Sequence, residues 1–567
     1  MRSWWAIWCV AVGAIVLAVW GTTPPAPRGL DTPTGDFAAA RAMVDLRVIA
    51  RAPHPSGSAE NLRVRAYLQQ RLTGMGLQVR QTEAAMSAKG AARLARWSGS
   101  AAAVPAINVV GVLAGRDRSL PAVLLMAHHD SVWGSPGAAD DGAGVAVILE
   151  TVRALTVNGV PNRDLIVLLT DGEELGLEGA KAFFARDPLA SRIGVVVNME
   201  ARGGGGRASM FETGADNGAM MRLFADTVHS PVGTSLSVLV YKKLPNSTDF
   251  TPAKAAGKPG FNFAFIGRPG SYHSPLATAD ALDQGSVQDM GRQVLDLTRA
   301  LLGPPVLPGR AADLTFFDAF GIVLVAYPAG FGWVLLVAAA GLYGAAAWRE
   351  RAAGEMARGA GATVLLAVLA GVLLYAVNAV SVVGTTVNYY DRLAAIPRLQ
   401  VQAGLVCLAA FVLVWSLIAG RRRSSIGLAA GAAAPLLALG AVAQWSAPTA
   451  SYPILWPLLL GGVAAAVGVF RGAVAGRIAS VVVGVVGLGY MIALGFFLLQ
   501  AVGPGMPSAA ALPLVLGALL LWPLMPAVGR RAALVASAVL LLAAVGIALW
   551  VRFDPIAASV AVYGSDH

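Results

Sequence analysis

Apolar residues follow two regimes along this chain, and the change comes near residue 305. Before it, short apolar runs at 108–113, 122–127, 165–170, 194–199 and 261–266 are separated by stretches with helical periodicity. The runs 123–127 and 165–170 are apolar throughout, as expected of strands buried on both faces. Helices are predicted over about 142–155 and 177–186, with two more upstream: ARAMVDLRVIA, and a segment capped by Ser58 that stops at Gly74 or Gly76. The alternation predicts an α/β fold, a mostly parallel sheet with helices on both faces. At 37–305 this domain is long enough to bury one large core.

After residue 305 the runs lengthen. Apolar spans can be drawn at 330–348, 360–384, 401–420, 426–445, 453–470, 478–502, 509–528 and 532–551, an all-α domain of eight transmembrane helices over 330–551. Residues 1–21 form a further span, one arginine followed by an apolar run without a small-x-small cleavage site, and read as an uncleaved anchor rather than a removed signal. A Pro-rich linker occupies 22–36, a linker or interfacial segment 306–329 and a short tail 552–567.

Composition agrees with a hybrid chain. Hydrophobic residues make up 56% and charged residues 13%, and the mean hydropathy is +0.63, too apolar for a soluble protein. No lysine follows Lys258, and no acidic residue lies between Asp391 and Asp554. The net charge of +11 does not indicate nucleic acid, because no recognition motif accompanies it and much of the arginine excess lies in loops between spans. Ten arginines fall in the loops 349–358, 421–423, 471–477 and 530–531, against only Arg392 and Arg398 in the alternate loops. The positive-inside rule then gives nine spans, a cytoplasmic N-terminus, and the α/β domain and chain end on the periplasmic or lumenal side. The spans hold no Asp, Glu, Lys or His, which argues against a proton-coupled transporter or an intramembrane protease. Cys9 and Cys407 both lie in apolar stretches and form no disulfide framework.

Candidate chemistry sits where the apolar runs end, the place where open α/β sheets put their sites. Run 122–127 leads into His128, His129 and Asp130, and run 165–170 into Asp171, Gly172, Glu173 and Glu174. Glu200 closes GVVVNME, and His273 follows Tyr272 in SYHSP. Alternation on a strand puts His128 and Asp130 on one face and His129 on the other, so His128 is the candidate ligand and Asp130 its orienting partner. Only six histidines occur in the chain, and His128, His129 and His273 are three of them. His54 is read as a turn residue, and the glycines 203–206 as a flexible loop, since no Lys-Ser/Thr follows for a phosphate site.

His-x-Asp, Asp-Asp-Gly, Glu-Glu-Leu-Gly, Asn-Met-Glu and Tyr-His in this order resemble peptidase family M28, the zinc aminopeptidase group, over roughly 40–305. The chain as a whole resembles the membrane-bound branch of vacuolar and endoplasmic reticulum proteases. The resemblance implies two zinc ions: Asp140 bridging, His128 and Glu200 completing one site, and Glu174 and His273 the other. It implies Glu173 as general base and a cis peptide after Asp140. Tyr272 could donate to the developing oxyanion or simply pack beside the site. Asp249 in NSTDF could face the cleft, and Arg202 could bind a substrate carboxylate. An acid that the family often carries after Tyr-His is replaced by Ala277, with Asp280 further on, which leaves the support of His273 open. Peptide substrates and the lipid bilayer are the expected partners. A glutaminyl cyclase on the same fold, or a non-catalytic receptor or scaffold, are the competing readings.

Overall fold

The computed structural model describes residues 2–157, 159–384, 389–419 and 424–554. The arginine loop 421–423 and the chain end from 555 lie outside them. The described residues divide into two compact units: Thr23–Ala326 together with residues 389–394, and a helical unit made of the rest.

The first unit is built on a seven-stranded sheet. Its strands are β1 (Gln78–Ala85), β2 (Pro105–Leu113), β3 (Ala122–His128), β4 (Leu165–Thr170), β5 (Ile193–Ala201), β6 (Ser209–Thr213) and β7 (Gly260–Phe265), in the order β1-β2-β4-β3-β5-β7-β6. The central β4, β3, β5 and β7 are parallel, while β1–β2, β2–β4 and β6–β7 pair antiparallel. Every residue of β3 and β4 is buried. Alternation sends Val123, Leu125, Val167 and Leu169 into the core on one face, and Leu124, Met126, Ile166 and Leu168 into the core on the other. A sheet covered on both sides needs apolar residues at every position.

From β3 the chain crosses to β4 on one side and later to β5 on the other, so the order reverses beside β3 and opens a crevice at the strands' carboxyl ends. Helix Gly142–Thr156 starts there, capped by the Asp141 carboxylate, which accepts from the Gly144 N–H. Helix Ala59–Gly74 is likewise capped by the Ser58 side chain, which accepts from the Asn61 N–H.

Two local readings need correction. The glycines 203–206 do not form a flexible loop: the Gly204 and Gly205 N–H groups donate to the Arg268 and Gly267 carbonyls. A Cβ on Gly203 would lie 2.2 Å from the Gly267 carbonyl oxygen, so these glycines permit backbone to pack on backbone. Residues 306–329 hold a two-stranded sheet, Leu314–Ala319 with Val323–Pro328, and its Phe316 belongs to the core.

In the helical unit, eight described helices are long and apolar enough to cross a membrane, and the chain is an integral membrane protein. The stretch 509–528 differs from the others. It is α-helical only over Ala511–Leu521, about 16 Å against a hydrocarbon thickness of roughly 30 Å, and Pro523 and Pro526 follow where an uninterrupted helix would continue. The segment nevertheless runs the length of the unit. At one end Asn378 donates to the Pro504 carbonyl and Ser508 to that of Gly371; at the other Trp415 Nε1 donates to the Pro526 carbonyl at 2.8 Å. Trp522 and Leu524 in the non-helical part are buried, as irregular backbone at membrane depth must be. The next helix, Arg530–Phe553, returns antiparallel to Ile396–Ala419, with Ser537 on the Ala409 carbonyl and Asp554 on Arg398.

Candidate metal centre

His128 ends β3 with its side chain 1% exposed. Its Nδ1 donates to the Asp130 backbone carbonyl at 2.9 Å, which turns Nε2 toward the neighbouring carboxylates, the nitrogen that would ligate a metal in place of its proton. Nε2 lies 3.1 Å from Asp140 Oδ1 and 3.9 Å from Glu200 Oε2. The other oxygen of Asp140 lies 3.0 Å from His273 Nε2, which is also 3.1 Å from Glu174 Oε1. Asp140 therefore stands between two imidazoles, each with a further carboxylate beside it. The Asp140–Asp141 peptide is cis.

Three groups each bring donor atoms within 4.8 Å of one another: His128, Asp140 and Glu200; Asp140, Glu174 and His273; and His128, Glu173 and Glu174. The first two share Asp140. Imidazole and carboxylate donors suit zinc, so the residues present fit that ion. Electrostatics agree with the geometry. Burial, with the charges of Asp140 and Asp249 added and that of His128 opposing, pushes Glu200 up to about 8. Burial also raises Glu173 well above the ordinary range, helped by Glu200, Glu174 and Asp249. Asp140 is held low: burial opposes ionisation, but hydrogen bonds from His128 and His273 outweigh it. Burial would lower His273, yet Glu174 and Asp140 lift it to about 9.

Asp130 plays a wider part than orienting one imidazole. Its carboxylate lies 3.5 Å from His128 Nδ1 and accepts from the backbone N–H groups of Glu173 and Glu174 at 3.2 and 3.4 Å. It thereby ties the end of β3 to the turn after β4. Asp249, buried, accepts from the Thr170 hydroxyl at the end of β4, and burial raises it to about 6. Tyr272 stacks on His273 with centroids 3.7 Å apart and planes 22° from parallel. His129 points the other way, toward the Ile107 carbonyl and Asn61, and His54 Nδ1 donates to the Ala52 carbonyl. Asp280 is 88% exposed in an ion pair with Arg47, so it gives His273 no support.

Residues 108–298 match the family model of peptidase family M28. The match covers 191 of the chain's 567 residues. Among curated proteins the chain is similar to endoplasmic reticulum metallopeptidase 1 of Mus musculus, 33% identical over 236 residues that cover 40% of this chain and 26% of that protein. It is also similar to the vacuolar membrane protease of Candida dubliniensis, 35% identical over 234 residues that cover 41% and 24%. The match thus spans about a quarter of each relative's length. Among solved structures, an aminopeptidase from Aneurinibacillus sp. strain AM-1 aligns with a TM-score of 0.38 and 16% identity, covering 49% of this chain and 98% of that one. A Porphyromonas gingivalis glutaminyl cyclase aligns with 0.37 and 18%, covering 46% and 97%.

Two residues beside the site carry no role in the sequence pattern, although Asn198 belongs to Asn-Met-Glu. Asn198 lies two positions before Glu200 on β5, so both side chains share a face, and its Nδ2 donates to Glu200 Oε1 at 3.1 Å and to Asn262 Oδ1 at 3.0 Å. Strand alternation alone could have found it. Tyr390 reaches the site from far along the chain, and no local pattern marks it. Because Asn198 orients a carboxylate of the first donor group, Asn198→Ala is expected to weaken zinc binding ~10- to 100-fold. Chelator competition on the purified full-length protein measures this, and an unchanged affinity would refute the orienting role.

Proposed function

We propose that this chain is a membrane-anchored zinc metallopeptidase of the aminopeptidase type, releasing N-terminal residues from peptides. The observation that carries this reading is Asp140, one carboxylate shared by two donor groups at the mouth of the sheet. His128, Asp140 and Glu200 would hold one zinc ion, and Asp140, Glu174 and His273 a second. Zinc, when bound, supplies Lewis-acid activation of water and of the scissile carbonyl at neutral pH.

The chain's own residues do the rest. Glu173 is buried less completely than Glu174, and its amide is fixed by Asp130. It accepts a proton from water at its carboxylate and returns it to the leaving amine. The crowd of carboxylates around the cleft attracts the substrate's α-ammonium group, which selects free N-termini. Tyr272, stacked on His273, holds a ligand ring and can present its hydroxyl to the carbonyl oxygen.

Glu173→Gln should retain two zinc ions and lose ~10²- to 10⁴-fold in kcat, whereas Glu174→Gln should lose metal. Zinc analysis of both variants decides the assignment, and the opposite pattern would reverse it.

N-acetylated peptides should be poor substrates beside their free counterparts. Equal cleavage of the two sinks the aminopeptidase reading, and cyclisation of N-terminal glutamine without hydrolysis would replace it with a cyclase.

We further propose nine crossings with the peptidase domain on the periplasmic or lumenal side. Two observations support this: the end-to-end path of 504–526, and residues 389–394, which lie two crossings after the peptidase domain and group with it. Reporter fusions after Arg423 and after His567 should report opposite sides; the same side for both would remove one crossing.

A further inference from the structure

Short helix Tyr389–Ala394 lies between the long helices Ala353–Val380 and Ile396–Ala419 in sequence, yet it groups with the peptidase unit. Six residues are too few to be helical on their own. Packing must hold them, and Pro397 explains why the helix stops, since its ring excludes the Leu393 carbonyl. Tyr390 and Leu393, one turn apart, are 5% and 1% exposed.

The helix touches the loops on both sides of the metal centre. On one side the Tyr390 ring lies 5.3 Å from the His273 ring and 6.0 Å from that of Tyr272. With the 3.7 Å stack of Tyr272 on His273, these distances form a triangle nearly right-angled at His273, so Tyr390 stands at the edge of the imidazole while Tyr272 covers its face. The backbones approach closely as well: a Cβ on Gly270 would lie 3.0 Å from Ala394 Cα. On the other side Arg202, just past Glu200 and the end of β5, donates to the Tyr389 hydroxyl.

The loop being held needs holding. Arg268 and His273 both have positive φ, 50° and 53°, a conformation that is unfavourable for a non-glycine residue and persists only where surrounding structure imposes it. Asp280 turns away to solvent. Aromatic packing on the His273 ring comes in part from a remote segment, through Tyr390.

We propose that Tyr390 is a positioning residue for His273, and that the loop between these two apolar helices braces the half of the metal centre formed by Asp140, Glu174 and His273. This rests on the dizinc reading above. The brace makes zinc affinity in that half depend on a segment lying between two membrane spans, outside the residues that match the family.

Zinc binding by the detergent-purified full-length protein tests it, measured by chelator competition together with zinc content, for Tyr390→Ala, Tyr390→Phe and Gly270→Ala. Tyr390→Ala should weaken one of two zinc ions ~10- to 100-fold, the usual effect of removing a group that orients a ligand, and leave the other unchanged. Gly270→Ala, which pushes the helix away without touching any ring, should shift the same ion in the same direction. Tyr390→Phe keeps the ring and should bind as the wild type does. Unchanged affinity in Tyr390→Ala, or parallel loss of both ions, overturns the brace. A wild-type protein that binds zinc but cleaves no free-amine peptide sinks the peptidase reading instead, and the zinc comparison still decides on Tyr390.

Discussion

Carboxylates packed more closely than their charges allow are the constraint on which the rest of the peptidase unit depends. Asp140, Glu174 and Glu200 share one buried crevice, with Glu173, Asp130 and Asp249 around them. Two like charges at about 4 Å repel by roughly 4 kcal/mol at an effective dielectric of 20. No protein would keep so many together without something positive among them. The two imidazoles answer only part of this: they hold Asp140 ionised, while Glu173 and Glu200 are driven toward the protonated form. Divalent cations would relieve that repulsion, and hydrogen bonds tie together the elements that assemble the crevice. Asp130 bonds the turn after β4 to the end of β3, Asn198 holds Glu200, and the Asp141 cap fixes the helix that begins beside Asp140.

Much of this arrangement was legible in sequence, for a physical reason. A strand buried on both faces must be apolar throughout, so 122–127 and 165–170 announce themselves, and polar residues right after them have nowhere to be except the sheet's edge. That logic located His128, Glu173, Glu174 and Glu200 without knowledge of the strand order. It failed where burial is partial. β1, QVRQTEAA, is an edge strand with no fully buried position, and its polar sequence carries no signal beyond a weak alternation. The glycines 203–206 were misread because glycine marks both loose loops and tight backbone contacts, and only the neighbour across the gap, Gly267, distinguishes them.

Apolar periodicity had a parallel limit in the helical unit. A hydropathy pattern measures how apolar a stretch is, not whether its backbone stays helical. The stretch 509–528 satisfies the pattern, but Pro523 and Pro526 break its helix after Leu521. Beyond the break Trp415 donates to the Pro526 carbonyl, and Trp522 is buried. Close helix packing elsewhere in the unit makes this possible: Gly359 and Gly431 let Ala353–Val380 and Ser425–Ser446 approach backbone to backbone, as small residues do in membranes.

The same unit has almost nothing chemical to offer in its interior. Among its described helices, the buried Glu355 near the start of Ala353–Val380 is paired with Arg358. What it can offer chemistry is geometry. A strained loop bearing a metal ligand can be held by its own domain, as an acid after Tyr-His would do, or by a segment from elsewhere. Here the residue at that place is Ala277, and Asp280 faces solvent, while Tyr390 comes to the edge of His273 from the loop between two spans. A brace on a separate stretch of chain can be displaced without unfolding the sheet that carries the other ligands. His128 and Glu200 are thus carried by strands β3 and β5 of the sheet, whereas His273 lies on a loop against which a six-residue helix from elsewhere in the chain packs.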